Sequence, residues 1–169
     1  MSLRGRLGDL LARRATPAVL PEGATAPPLT LESDARAMCT PEGWFVLIFY
    51  PGDRTAGCTR QLRDAEFHRA AFESEGCAIF GINPSNPTSH ADFARAIGLA
   101  FPLLADPGGV VARRYHAWAE PIVVAPRVIR TVYLVNPDRI VRFAQRGAPP
   151  MAAVLRTLQA LKQASRKGR

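Results

Sequence analysis

Cysteine is scarce in this chain, and none of it is paired. Of 169 residues only Cys39, Cys58 and Cys77 are cysteines, and no two stand in a C-x-x-C spacing. The absence of that spacing excludes a thioredoxin-type dithiol and a zinc knuckle. A few scattered thiols without a secretory signal point to a reducing compartment. No apolar run approaches the roughly 20 residues that cross a bilayer. His68, His90 and His116 share no ligand spacing with one another or with a carboxylate cluster. No metal and no cofactor are therefore expected, and the histidines are read as partly exposed and without a catalytic role. Neither G-x-x-x-x-G-K nor G-x-G-x-x-G occurs, so the common nucleotide cradles are missing. Asn86-Pro87-Thr88 is no glycosylation acceptor, because proline fills its middle position.

Acid is missing from the C-terminal end. Residues 151–169 carry Arg156, Lys162, Arg166, Lys167 and Arg169 and no carboxylate. Residues 1–14 carry Arg4, Arg6, Arg13 and Arg14 against Asp9. Residues 15–150 hold 13 basic and 13 acidic side chains, so the whole net charge of +8 lies in the two ends. Such runs are ordinarily solvated faces. Nucleic-acid binding and membrane contact are not expected, though a module using its basic ends is the outlying alternative. The N-terminus alternates basic and apolar residues and lacks the apolar stretch of a secretory signal, so a cytoplasmic protein is expected.

What is present reads as alternating strands and helices. Leu3, Leu7, Leu10 and Leu11 would lie on one side of a short amphipathic helix over residues 1–14. Pro17, Pro21, Pro27 and Pro28 exclude regular structure until about Leu29. Residues 44–50 are a continuous apolar run, as in a strand buried on both faces. Thr59 to Ser74 reads as a helix stopped by Gly76, and Cys77 to Ile82 as a second buried strand. Thr88 or Ser89 is read as the cap of a helix with Phe93 and Ile97 inward and Gly98 as its stop. A short helix over 110–115 follows. Residues 131–135 and 140–143 form a hairpin around Asn136-Pro137-Asp138-Arg139. Pro150 opens a last helix with Val154, Leu155, Leu158 and Leu161 inward. This order fits an α/β layer fold: a central mixed β-sheet flanked by helices. Residues 1–20 are read as a basic arm, 21–165 as the domain and 166–169 as a basic tail.

Cys58 follows the first buried strand through the turn Tyr50-Pro51-Gly52-Asp53-Arg54-Thr55 and meets the start of a helix. Unpaired amides and the positive helix end favour a thiolate there. The string Pro51-x-x-x-Thr55-x-x-Cys58 resembles the signature of the peroxiredoxins, in particular their bacterioferritin-comigratory-protein branch. Four further segments extend the resemblance in order across residues 21–165: Ser89-His90 with Phe93; Phe101 to Pro107; Val111-Ala112 with Tyr115; and Arg130 leading into Tyr133 to Pro137. The resemblance implies a thioredoxin-like fold and a peroxidase of hydrogen peroxide and organic hydroperoxides. It implies Cys58 as peroxidatic cysteine, with Thr55 and Arg130 binding peroxide and orienting the sulfur. It implies that Pro51 shields the pocket, that Gly57 lends an amide, and that Gln61 holds the arginine. Where the branch often places a resolving cysteine, this chain has Arg63 or Ala94. A one-cysteine enzyme follows, with an external thiol reductant such as thioredoxin, glutaredoxin or a low-molecular-weight thiol, working as a monomer or homodimer. Cys39 and Cys77 are read as structural.

Magnitudes say what such a site must supply. A thiol of pKa about 8.5 is a few per cent thiolate at pH 7, so complete ionisation gains at most ~30-fold. Lowering the pKa also weakens the nucleophile. Most of the acceleration must come from donors that stabilise charge as the O–O bond stretches. The alternative is a thioredoxin-fold redox sensor or binding protein that uses Cys58 as a switch without turnover.

Overall fold

The computed structural model describes residues 17–33, 37–120 and 127–167. The amphipathic segment read over 1–14 lies outside the described residues, as do 168 and 169 of the basic tail. At its described start the chain is already docked. Val19 and Leu20 pack against the core, and the Leu20 amide donates to the Tyr133 hydroxyl.

β1 (Thr30–Glu32) and β2 (Ala37–Cys39) form an edge hairpin, and β3 (Trp44–Phe49) is the apolar run. Helix α1 (Ala56–Ser74) returns the chain to β4 (Cys77–Asn83), and α2 (Pro87–Ile97) leads to β5 (Leu103–Ala105). A 3₁₀ turn (Pro107–Gly109) and α3 (Val110–Arg114) precede the small pair β6 (Trp118–Ala119) and β7 (Arg127–Val128). The hairpin β8 (Thr131–Val135) and β9 (Val141–Arg146) and the closing helix α4 (Met151–Lys167) complete the order. The main sheet runs β2-β1-β5-β4-β3-β8-β9, with β5, β4 and β3 parallel and the remaining pairings antiparallel.

The period-2 alternation of β3 divides the core. Phe45, Leu47 and Phe49 point into one cluster with Ile82, Tyr115 and Tyr133. Val46 and Ile48 point into the other, with Leu62 and Phe72 of α1, Phe93 of α2 and Val154 and Leu158 of α4. Both faces are covered, which is why the run is continuously apolar. Gly81 in β4 is required by packing, since a Cβ there would stand 2.5 Å from Leu103 and 3.1 Å from Tyr50.

Several sequence expectations shift. Helix α1 begins at Ala56, not Thr59, because Thr55 caps it. Helix α2 is capped by Asn86, whose side chain accepts from the Ser89 amide at 2.8 Å with Pro87 in the first turn, so neither Thr88 nor Ser89 is the cap. The three-residue strands β1, β2 and β5 and the β6–β7 pair were not read from the sequence.

Candidate functional site

The C-terminal end of β3 delivers the chain into the turn at Pro51. Thr55 then closes the turn in extended backbone (φ −86°, ψ 144°), and its Oγ1 accepts from the Cys58 amide at 3.3 Å. Cys58 therefore lies in the first turn of α1, which offers free amides and contains no acidic side chain. Its residue is fully buried, in the cluster with Tyr50, Leu62 and Val132.

Arg130 reaches the sulfur from the neighbouring strand. β8 pairs with β3 so that Thr131 lies opposite Phe49, which sets Arg130 beside the end of β3 where the turn departs. Its Nη2 donates to Cys58 Sγ at 3.3 Å, and its Nη1 donates to Gln61 Oε1. Gln61 is 5% exposed and stands three residues after Cys58 on the same face of α1, so one helix positions both the sulfur and the anchor of its cation. Gly57 leaves room for the guanidinium: a Cβ there would already lie 3.4 Å from Nη2. Thr55, Gly57, Gln61 and Arg130 are thus brought together at Cys58. Pro51 stands exposed at the start of the turn and makes none of these contacts.

A second group holds the turn, and the sequence did not reveal it. Asp53 accepts from Tyr50 Oη at 2.9 Å, Asn83 Nδ2 at 2.8 Å, Ser89 Oγ at 2.6 Å and His90 Nδ1 at 3.1 Å. Its side chain is 5% exposed. Burial pushes the carboxyl up, but the hydrogen bonds from His90, Ser89 and Asn83 outweigh it and bring it to about 2. Burial first, and then the Asp53 charge, push the Tyr50 hydroxyl well above its ordinary range, so it stays a donor. His90 is 1% exposed, which corrects the expectation of partly exposed histidines. The residue before the cap, Arg54, sits at φ +63°. A non-glycine residue there costs roughly 1–2 kcal/mol and persists where neighbours over-determine it.

Cys77 is the contrast. It is 2% exposed at the start of β4, its Sγ lies against the Ala78 carbonyl, and burial pushes its thiol up to about 12 against a weaker pull from Lys162. Cys39 ends β2; its side chain lies outside the described residues. A cavity of about 700 Å³, lined in part by Leu31, Asn86, Asp106 and Arg114, includes none of the groups at the sulfur.

Residues 23–144 match the AhpC/TSA family. A Mycobacterium tuberculosis protein bearing the peroxiredoxin name is 35% identical over 103 residues, which are 59% of this chain and 66% of that relative. Alkyl hydroperoxide reductase E of Mycobacterium tuberculosis is 31% identical over 134 residues, 75% of this chain and 86% of its own. The solved structure of Xanthomonas campestris bacterioferritin comigratory protein superposes with a TM-score of 0.73 at 29% identity, covering 85% of this chain and 98% of that one. The sheet and its helices share the thioredoxin-like fold of these neighbours.

Proposed function

The chain belongs to the AhpC/TSA family as a Bcp-like peroxiredoxin, and on that premise we propose that Cys58 is the peroxidatic cysteine of a thiol peroxidase acting on hydrogen peroxide and organic hydroperoxides. The observation that carries this reading is the Arg130 guanidinium, 3.3 Å from Cys58 Sγ and held by Gln61. The Cys58 thiolate attacks the nearer peroxide oxygen. The O–O bond breaks, the departing oxygen leaves as water or alcohol after taking a proton, and sulfur is oxidised to the sulfenic acid. Arg130 and the Thr55 hydroxyl face the charge that builds during this step, where fixed donors contribute most. An external thiol then displaces water from the sulfenic sulfur, and a second thiol breaks the mixed disulfide.

The fold supports the one-cysteine form. Cys77 pairs with Trp44 at the opposite end of β3 from the turn, six residues or roughly 20 Å away. β2, which ends at Cys39, lies four strands from β3, again roughly 19 Å. A disulfide needs Cα atoms within about 7 Å. The reductant is a small thiol or a redoxin in a reducing, cytoplasmic setting. The domain over 21–165, charge-balanced through residue 150, carries the chemistry, as a monomer or homodimer. Intact mass after one equivalent of peroxide tests this. The expected product is a single added oxygen on Cys58 that disappears with thiol and is regenerated over many cycles. Stoichiometric oxidation without turnover would favour the redox-sensor alternative.

A further inference from the structure

We propose that Asp53 is a positioning residue for Cys58: a latch that holds the Pro51–Thr55 turn closed, favouring peroxide at the sulfur over bulkier thiols. The inference rests on the peroxidase reading of Cys58 and adds a control element to it. Four donors from three separate elements converge on one carboxylate. Tyr50 follows β3, Asn83 ends β4, and Ser89 and His90 lie in the first turn and a half of α2. The turn that carries Thr55 and Cys58 is thereby tied to the next strand and the next helix, 30 to 37 residues on.

Three further observations give the tie a purpose. First, Cys58 is buried in this arrangement, so how large a reagent reaches its sulfur depends on how far the turn moves. A peroxide oxygen needs little room; a thiol sulfur on a carbon chain needs more. Second, Arg54, one residue beyond the latch and one before the cap, holds a left-handed backbone that would relax if the tie were lost. Third, His90 is spent on the latch. A carboxylate only accepts, so Nδ1 carries the proton toward Asp53, and the buried Nε2 has no hydrogen-bond partner among the described residues. With the turn closed, Thr55 stays on the Cys58 amide and Arg130 on its sulfur. With it open, the sulfur loses the guanidinium and gains access.

The latch therefore predicts two rates that move in opposite directions. In the full chain, Asp53→Asn keeps the side-chain shape but presents an amide to the donors. Oxidation of Cys58 by hydrogen peroxide should fall at least tenfold, while alkylation by a bulky uncharged maleimide should rise several-fold. Hydrogen exchange of the amides from Arg54 to Thr59 should rise with the alkylation rate. Should Asp53→Asn fail to fold, Ser89→Ala removes one donor at the start of α2, and the same opposed changes of two- to threefold are expected. Rates that fall together, or stay unchanged with unchanged exchange, would overturn the latch. A wild type that does not react with peroxide would overturn the peroxidase reading instead, and alkylation and exchange would still decide the latch.

Discussion

Cys58 and Cys77 occupy the same apolar cluster, on the same face of the sheet, and neither is accessible to solvent. Their polar surroundings differ completely. Cys58 sits in the first turn of a helix, with a guanidinium 3.3 Å from its sulfur and a capping hydroxyl on its amide. Cys77 opens a strand, meets only the carbonyl of Ala78, and is driven toward the neutral thiol. Burial alone makes a thiol inert; burial with donors fixed at the sulfur makes a nucleophile whose charge is stabilised where it forms. The position in the fold decides between them. Cys58 lies where β3 hands over to α1, at the end of the parallel strands, whereas Cys77 lies at their beginning.

The most direct way to break this contrast is to remove each sulfur in turn. Cys58→Ser should abolish peroxide consumption, and Cys77→Ala should retain most of it with a modestly lower Tm. Stopped-flow oxidation and a thermal melt measure both. Substantial turnover by Cys58→Ser would erase the distinction between the two cysteines.

Next in size is the guanidinium. Arg130→Met should slow oxidation by peroxide roughly 10²–10³-fold, the scale expected for one preorganised donor at a developing anion. Alkylation of Cys58 at a pH where its thiol is ionised should slow far less. Equal losses would mean that Arg130 acts on ionisation or on the fold and not on the stretching O–O bond. Gln61→Ala should fall in between, at about tenfold, because it frees the guanidinium without deleting it.

How much of this was legible in the sequence follows the range of the signals. The strand–turn–cysteine unit was readable because all of it lies between Trp44 and Thr59, and Arg130 was found through the resemblance of its segment. The latch was not. Asp53 looked like a turn residue, and His90 like a surface histidine one position after a cap. Their meeting depends on β4 lying beside β3, a contact 37 residues apart in the chain. The short strands β1, β2 and β5 are not legible because three residues carry no periodicity. Asn86 was overlooked as the cap of α2 because Thr88 and Ser89 are also good capping residues, and only the Pro87 ahead of them argues for the earlier start.

The smallest effect sharpens the comparison from the Cys77 side. Burial raises this thiol to about 12 from an ordinary value near 9.0. The folded state therefore keeps its proton over a pH range in which the unfolded chain gives it up. Below pH 9 both states are protonated and the difference contributes nothing. Above it the unfolded state binds fewer protons, so stability falls as pH rises, by about 1 kcal/mol per pH unit until the folded thiol itself ionises. Cys77→Ala lacks this term, while the tyrosines and lysines that also titrate there are common to both proteins. Urea unfolding at pH 8, 9, 10 and 11 should show wild type more stable at pH 8 and its advantage shrinking or reversing by pH 11. A constant gap would mean that Cys77 is solvated well enough to ionise in place, and burial would then not be what separates it from Cys58.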